Sequence, residues 1–317
     1  MMSPLGLAIA YAADLVLGDP PWRWHPVRLI GRLIAAGERA VRSLPIGRAG
    51  EKTGGVVLCA GVVLLVYAAS WMVLAASFRA HQYLGFAASV ALAYFTLSAR
   101  ALGDAAKEVF ACLNAGDDAG ARRSLALVVG RDTTGLSRPE VVRAVVETVA
   151  ENTSDGIVAP LFYLALGGPA LGMAYKVVNT LDSMVGYNNE RYRAMGWASA
   201  RCDDAANYLP ARLTGLLLVA AAFIRRRDWR GAFAVMRRDA RKHLSPNSGY
   251  PEAAMAGALG VQLGGSSAYL GVLRHAALLG EVKQPLTGRS ITDAVSLMYA
   301  ASALMLLLCL LYRGALS

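Results

Sequence analysis

Charge is scarce in this sequence. Only 17% of its 317 residues are Asp, Glu, Lys or Arg, against about a quarter in an ordinary soluble domain. Cysteine is scarcer still: Cys59, Cys112, Cys202 and Cys309 are widely scattered and no CxxC is present. That excludes a disulfide framework and a thiolate metal site, and leaves the thiols as small apolar residues. No GxxxxGK[ST] occurs, so a P-loop is not available, and neither a GxSxG elbow nor an HExxH is found. RNA-binding signatures, zinc-finger spacings and basic-aromatic repeats are also missing, so the net charge of +10 is not read as a nucleic-acid surface. There is no internal repeat and no low-complexity linker. The first residues lack a basic n-region and a convincing cleavage site, so Met1–Gly18 reads as a retained, short membrane helix.

What is present is apolar. Hydrophobic residues make up 56% of the chain. Uncharged runs cover Gly54–Phe78, Ala80–Ala99, Gly156–Tyr175, Ala253–Leu273 and Ala294–Tyr312, and several reach the roughly 20 residues that cross a hydrocarbon core as a helix. A soluble protein with long buried helices is the alternative. Basic residues lie between the runs, the pattern of cytoplasmic loops in the inner membrane, where they favour anionic lipid and anionic substrates. The expected fold is therefore all-α: a multi-pass integral membrane helical protein, one domain over 1–317. Residues 100–155 and 176–208 form its cytoplasmic-side polar site region.

Along the chain, Asp19-Pro20-Pro21 ends the first helix, Trp22 and Trp24 suit the membrane interface, and Leu29 onward reads as an amphipathic surface helix. Thr53–Phe78 and Ala80–Ala99 read as a hairpin turning at Arg79. Ser137 with Pro139 and Glu140 is a helix-start signature. Basic flanks on both sides of Gly156–Tyr175 rule out one simple crossing. The Gly167-Gly168-Pro169 break predicts a re-entrant or broken helix pair, tolerated in a membrane where it lines an enclosed cavity. Ser245–Gly260 reads as a loop before a small-residue helix, and Ile291–Tyr312 as a final span.

The polar residues cluster. Glu147, Glu151 and Asp155 recur every four positions, and a helix continued to Asp155 puts them on one stripe suited to Mg²⁺. An exposed acidic face is the plainer alternative. Lys176, Asn179, Asp182 and Ser183 fall on one side of a helix; Lys176 either snorkels or meets phosphate. Glu190, Arg191 and Arg193 supply charges for anion binding. Asp203, Asp204 and Asn207 form a DDxxN arrangement, either a helix cap or part of a site. Arg131 and Asp132 beside Thr133, Thr134 and Gly135 resemble an anion-binding loop by composition only, and His25, between tryptophans and Pro26 and beside Asp19, is either structural or a substrate contact.

Taken together, GDPPWRWHPV, ENTSDGIVAPLFY, YKVVNTLDSMVGYNNERY, ASARCDDAANYLPARLTG and SPNSGYPEAAMAGALG resemble the signature segments of the adenosylcobinamide-phosphate synthase family, membrane-bound cobalamin biosynthesis proteins. The resemblance runs from about Asp14 to Tyr312, in the family's order. It implies amide ligation of an aminopropanol, or its phosphate, to a propionate of adenosylcobyric acid, with ATP and Mg²⁺ and an active site facing the cytoplasm. Under that implication Glu147, Glu151, Asp155 and Asp182 bind metal and phosphate. Asp203 or Asp204 serves as base or second metal ligand, and a lysine such as Lys176 is a further candidate base. Lys176, Arg131, Arg191 and Arg201 hold anions, and Asn152, Asn179, Asn207 and His25 position substrate. Two rivals stand beside this reading: an intramembrane Mg²⁺-dependent transferase acting on a lipid or polyprenyl substrate, and a non-catalytic membrane sensor or transporter. Whether enzymes of the same pathway assemble with the chain stays open.

Overall fold

The computed structural model describes residues 2–20, 22–45, 47–269 and 272–316, with backbone alone over 267–269 and 272–274. Helix α1 (Pro4–Leu17) starts where the Ser3 hydroxyl accepts the Gly6 N–H at 3.1 Å and stops at Gly18. Helix α2 (Pro26–Arg42) is amphipathic, with Ile30 and Ile34 buried and Arg32 and Arg39 exposed. Helices α3 (Arg48–Ala80) and α4 (Gln82–Tyr94) form the expected hairpin. Its turn falls at His81, whose ring accepts the Tyr83 N–H at 3.3 Å. Arg79 stays in the helix.

Helix α5 (Ala99–Asn114) leads to α6 (Asp118–Ala126), whose first turn is capped by Asp117 accepting the Gly120 N–H at 2.7 Å. Helix α7 (Arg138–Thr153) begins as the Ser-Pro-Glu pattern predicts, with the Glu140 carboxylate accepting the Ser137 N–H at 2.7 Å. It widens into a π-helical turn at Ser154–Val158 and continues as α8 (Ala159–Val185). Gly168 (φ 72°, ψ −166°) breaks α8 just before Pro169. This is the broken helix pair that the sequence predicts; only glycine takes that conformation without strain.

Helices α9 (Trp197–Ala206), α10 (Tyr208–Ile224) and α11 (Trp229–Asp239) follow, then a 3₁₀ turn at Ala240–Lys242 and α12 (Gly249–Leu259). The uncharged run Ala253–Leu273 is not one membrane-length helix. Gly260 (φ 63°) ends α12, and an antiparallel hairpin, β1 (Leu263–Tyr269) with β2 (Val272–Leu279), takes the rest. Gly264 (φ 83°) and Gly265 (φ 86°) sit at an irregularity in its register. Hydropathy alone cannot anticipate this, because the glycines and serines that break the helix are uncharged. Helix α13 (Gly288–Gly314) closes the chain.

Among the described residues, four helical stretches are long and apolar enough to cross a membrane: Arg48–Ala80, Gln82–Asn114, Arg138–Val185 and Gly288–Gly314. The pair α9 and α10 would make a fifth. On α3, Val57 and Leu64 are each 66% exposed; apolar side chains turned outward on an apolar helix mark a lipid-facing surface. The chain is a multi-pass helical membrane protein.

It divides into two compact units. The first comprises Met1–Ser98, Ala159–Asn207 and Leu308–Ser317; the second comprises Ala99–Val158 and Tyr208–Leu307. In the first, α2, α3, α8 and α9 bury Ile34, Val62, Val177, Leu181 and Ala198. Gly55 lets α3 meet the backbone at Met195, since a Cβ there would lie 1.9 Å from its carbonyl oxygen. In the second, α12 is buried throughout, with Ala253, Ala254, Met255 and Ala256 fully covered. Gly257 brings α12 onto the α11 backbone at Gly231, where a Cβ would lie 2.3 Å from the carbonyl oxygen. Buried Asp239 ties the base of the hairpin, accepting from Lys242 Nζ at 2.6 Å and from the Gly280 N–H at 2.9 Å. Residues 100–155 and 176–208 thus fall almost wholly in different units, each with its own polar cluster.

Candidate functional site

In the second unit a cavity of about 190 Å³ is lined by Arg131, Glu147, Glu151, His243, Glu252 and His275, with the hairpin backbone at Gly264. Glu147 and Glu151, four residues apart on α7, share its wall as the spacing predicts. Glu147 is saturated: Arg131 lies 2.7 Å from Oε2, Arg143 lies 3.8 Å from Oε1, and the Gly264 N–H donates to Oε1 at 2.8 Å. Arg131, expected to hold substrate, is therefore paired with Glu147 at the cavity wall. Glu151 accepts the Ser248 hydroxyl at 2.9 Å.

Glu252 is the carboxylate that spacing did not single out. It is buried in α12, and burial, followed by repulsion from Glu147 and Glu151, raises its pKa well above the ordinary carboxylate value, with Arg131 opposing. His243 Nε2 lies 3.7 Å from Glu252 Oε1. The Ser245 N–H donates to His243 Nδ1 at 3.0 Å, so the neutral ring carries its proton on Nε2, toward Glu252. The Ser266 hydroxyl and His275 Nδ1 pair at 2.8 Å on the hairpin. The signal that could have found Glu252 is its position as a lone carboxylate in the small-residue run PEAAMAGALG.

Asp155 does not line this cavity. It lies in the π-helical turn, where winding beyond 3.6 residues per turn takes it off the Glu147–Glu151 stripe. Asn152 points its amide back to the Thr148 carbonyl at 3.0 Å.

In the first unit, Lys176, Asn179 and Asp182 lie on α8 as predicted, beside α9. Asn179 Nδ2 reaches Asp203 Oδ1 at 3.5 Å, and Asp182 and Asp203 are close enough to interact electrostatically. Asn207, buried, accepts the Tyr175 hydroxyl at 2.8 Å and lies near Asp203. Tyr163 stacks on Tyr175 with centroids 4.9 Å apart and donates to the Ala206 carbonyl at 2.8 Å. His25 pairs with Asp19 at 2.9 Å; burial holds its pKa below the usual imidazole value, and Arg28 and Lys176 add to the depression against the pull of Asp19.

Three predicted residues are engaged elsewhere. Asp204 pairs with Arg201 at 3.3 Å, one turn apart on α9. Arg191 pairs with Glu38 of α2 at 3.1 Å and lies over the Tyr192 ring. Among the described residues no three His, Cys, Asp or Glu side chains come together as a metal site. The Asp182–Asp203 pair with the amides of Asn179 and Asn207 is nonetheless an oxygen-donor set. That chemistry fits Mg²⁺, which commonly takes one or two carboxylates and completes its shell with water and phosphate oxygens.

Compared with known proteins, residues 7–298 match the family model described as CobD/Cbib protein. The chain is 50% identical over 299 residues to the cobalamin biosynthesis protein CobD of Geobacter metallireducens, covering 94% of this chain and 93% of that protein. It is 47% identical over 317 residues to the cobalamin biosynthesis protein CbiB of Salmonella typhimurium, covering 100% and 99%. It is likewise 47% identical to CobD of Klebsiella pneumoniae, covering 97% and 96%. No solved structure matches this chain.

Proposed function

Because the chain belongs to the CobD/CbiB family of cobalamin biosynthesis proteins, we propose that it joins a propionate of adenosylcobyric acid to aminopropanol or its phosphate through an amide bond, with ATP and Mg²⁺. The observation that carries the reading is Glu252, a buried carboxylate held toward its neutral form between Glu147 and Glu151. Amide formation requires the propionate to be activated by phosphoryl transfer from ATP, so that its oxygen leaves with phosphate, and the ammonium to lose a proton before it attacks. A carboxylate whose proton affinity is raised by burial and by neighbouring carboxylates takes up that proton more readily than an ordinary one. Glu151 and Glu252 receive the ammonium, and His243 Nε2 orients Glu252 from 3.7 Å. Glu147, already paired, holds Arg131 and the hairpin in place.

In the first unit, Asp182 and Asp203 would hold Mg²⁺, while the Asn179 amide reaches the Asp203 carboxylate. When bound, the ion supplies charge neutralisation for phosphate oxygens. Lys176 is the cation on the same helix face that meets phosphate. His25, near Lys176 and kept neutral by burial, adds a hydrogen-bonding group without further charge. The basic segment Arg225–His243 supports a cytoplasmic active-site face in the inner membrane.

The test is an assay of the purified full chain with adenosylcobyric acid, aminopropanol phosphate, ATP and Mg²⁺, read by mass detection of the amide. Product that requires the complete mixture is expected, with turnover lost in Glu252→Gln. Absence of amide from a folded, membrane-inserted preparation overturns the reading.

A further inference from the structure

The second unit holds another cavity, of about 460 Å³, whose wall includes Tyr208, Arg212, Arg241, His243, Ser245 and Tyr250. We infer that it is a binding subsite for a phosphate ester. Its lining contains two arginines and no carboxylate. Among the described residues neither Arg212 nor Arg241 forms an ion pair.

Arg212 is held rather than loose. Its guanidinium carbon lies 3.5 Å from the Tyr208 ring centroid and 4.4 Å from that of Tyr250. Its Nη1 donates to the Tyr208 carbonyl at 2.6 Å and to Asn247 Oδ1 at 3.3 Å. Two aromatic contacts and two neutral acceptors fix the planar group but leave its positive charge unneutralised. A guanidinium fixed in this way is preorganised for an oxyanion, because little further rotamer freedom is lost on binding.

Ser245 adds a donor. Its Oγ accepts the N–H groups of Asn247 and Ser248, each at 3.2 Å, which leaves its own hydrogen to donate. Arg241, exposed at the rim, supplies the second charge. The three terminal oxygens of a phosphate monoester can accept from both arginines and the hydroxyl together.

His243 lines this cavity and the acidic one. Its Nδ1 is taken by the Ser245 N–H and its Nε2 faces Glu252, so one ring separates the oxyanion subsite from the three carboxylates. The ligand is either a dissolved phosphate ester or a phospholipid headgroup, which share this chemistry.

The test measures equilibrium binding of radiolabelled inorganic phosphate to the full chain in phosphatidylcholine nanodiscs, at constant ionic strength. One saturable site is expected. Arg241→Gln and Arg212→Lys should each weaken it about tenfold, the loss of one charge-assisted contact or of the fixed planar fork. Exposed Arg237→Gln, on α11 outside the cavity, should leave it unchanged. Arg241 is exposed, so its variant tests the site even where Arg212→Lys compromises folding. Undiminished binding in nanodiscs containing phosphatidylglycerol assigns the subsite to a soluble ester; binding abolished there assigns it to a headgroup. The inference is overturned if no saturable binding is found, or if Arg241→Gln binds phosphate as the parent does. Binding is read without turnover, so this outcome is separate from the fate of the amide-forming reading.

Discussion

Replacing Glu147 with leucine isolates the electrostatic support of the acidic cavity. Glu147 and Arg131 are 2.7 Å apart with side chains only 8% and 14% exposed. Removing one member of such a buried pair leaves an uncompensated charge and typically costs about 3–5 kcal/mol. In a unit of this size each kcal/mol moves the melting temperature by about 2–4 °C, so a fall of about 6–20 °C is expected for Glu147→Leu. Arg131→Met should fall similarly. The double variant removes both charges and keeps an apolar filling, a change that is often nearly neutral. It still leaves the Gly264 N–H without its acceptor at 2.8 Å, a loss of about 1–3 kcal/mol. It also relieves Glu252 of one repelling neighbour. The double variant should therefore be more stable than the sum of the two single changes by about 2 kcal/mol or more. The assay is thermal unfolding of all four proteins in one detergent, analysed as a double-mutant cycle. Additivity within about 0.5 kcal/mol would refute the claim that Glu147 acts through Arg131.

Three further outcomes follow from the same geometry. Protonated Glu252 stabilises the fold fully below the unfolded carboxylate pKa of about 4.3, and that stability is lost as pH rises through its higher folded value. Glu252→Gln should then match the parent near pH 4 and out-melt it increasingly above; parallel pH curves contradict the burial argument. Gly168→Ala places a side chain at φ 72°, ψ −166° and should cost about 1–3 kcal/mol, read as a lower melting temperature; an unchanged value means that the break in α8 is not where the backbone bends. Asp182→Asn and Asp203→Asn should each lower amide synthesis about a hundredfold or more with little change in melting; full activity in either removes that carboxylate from the chemistry.

Local rules with strong chemistry were legible in the sequence. The start of α7 at Ser137 and Glu140, the hairpin of α3 and α4, the helix face shared by Lys176 and Asn179, and the break at Gly168 all follow from spacing or from glycine and proline. Three features were not legible. The π-helical turn at Ser154–Val158 leaves no mark in the residue pattern, yet it removes Asp155 from the stripe that a regular helix would give. The β-hairpin hides inside an uncharged run because hydropathy averages over the positive-φ glycines that break it. The pairing of Arg131 with Glu147 spans sequence-distant loop and helix positions and is set by tertiary packing.

The charge balance of the acidic cavity constrains what can enter it. Arg131 neutralises Glu147, and Glu252 is pushed toward its neutral form, so Glu151 is left as the carboxylate facing the space, accepting the Ser248 hydroxyl. A cationic ligand relieves the repulsion among three carboxylates and lowers the Glu252 pKa as it binds. Binding and proton release are thereby coupled: an ammonium that settles against Glu151 makes Glu252 more acidic, and an amine that has given up its proton makes it less so. Anions have no such welcome here but meet Arg212 and Arg241 across the His243 ring. A molecule carrying an ammonium at one end and an oxyanion at the other fits this division of charge, whereas a uniformly anionic ligand is repelled from the carboxylate side. Removing Glu151 alone relieves part of the repulsion that raises the Glu252 pKa and so favours its charged form, which opposes a reversal of that preference.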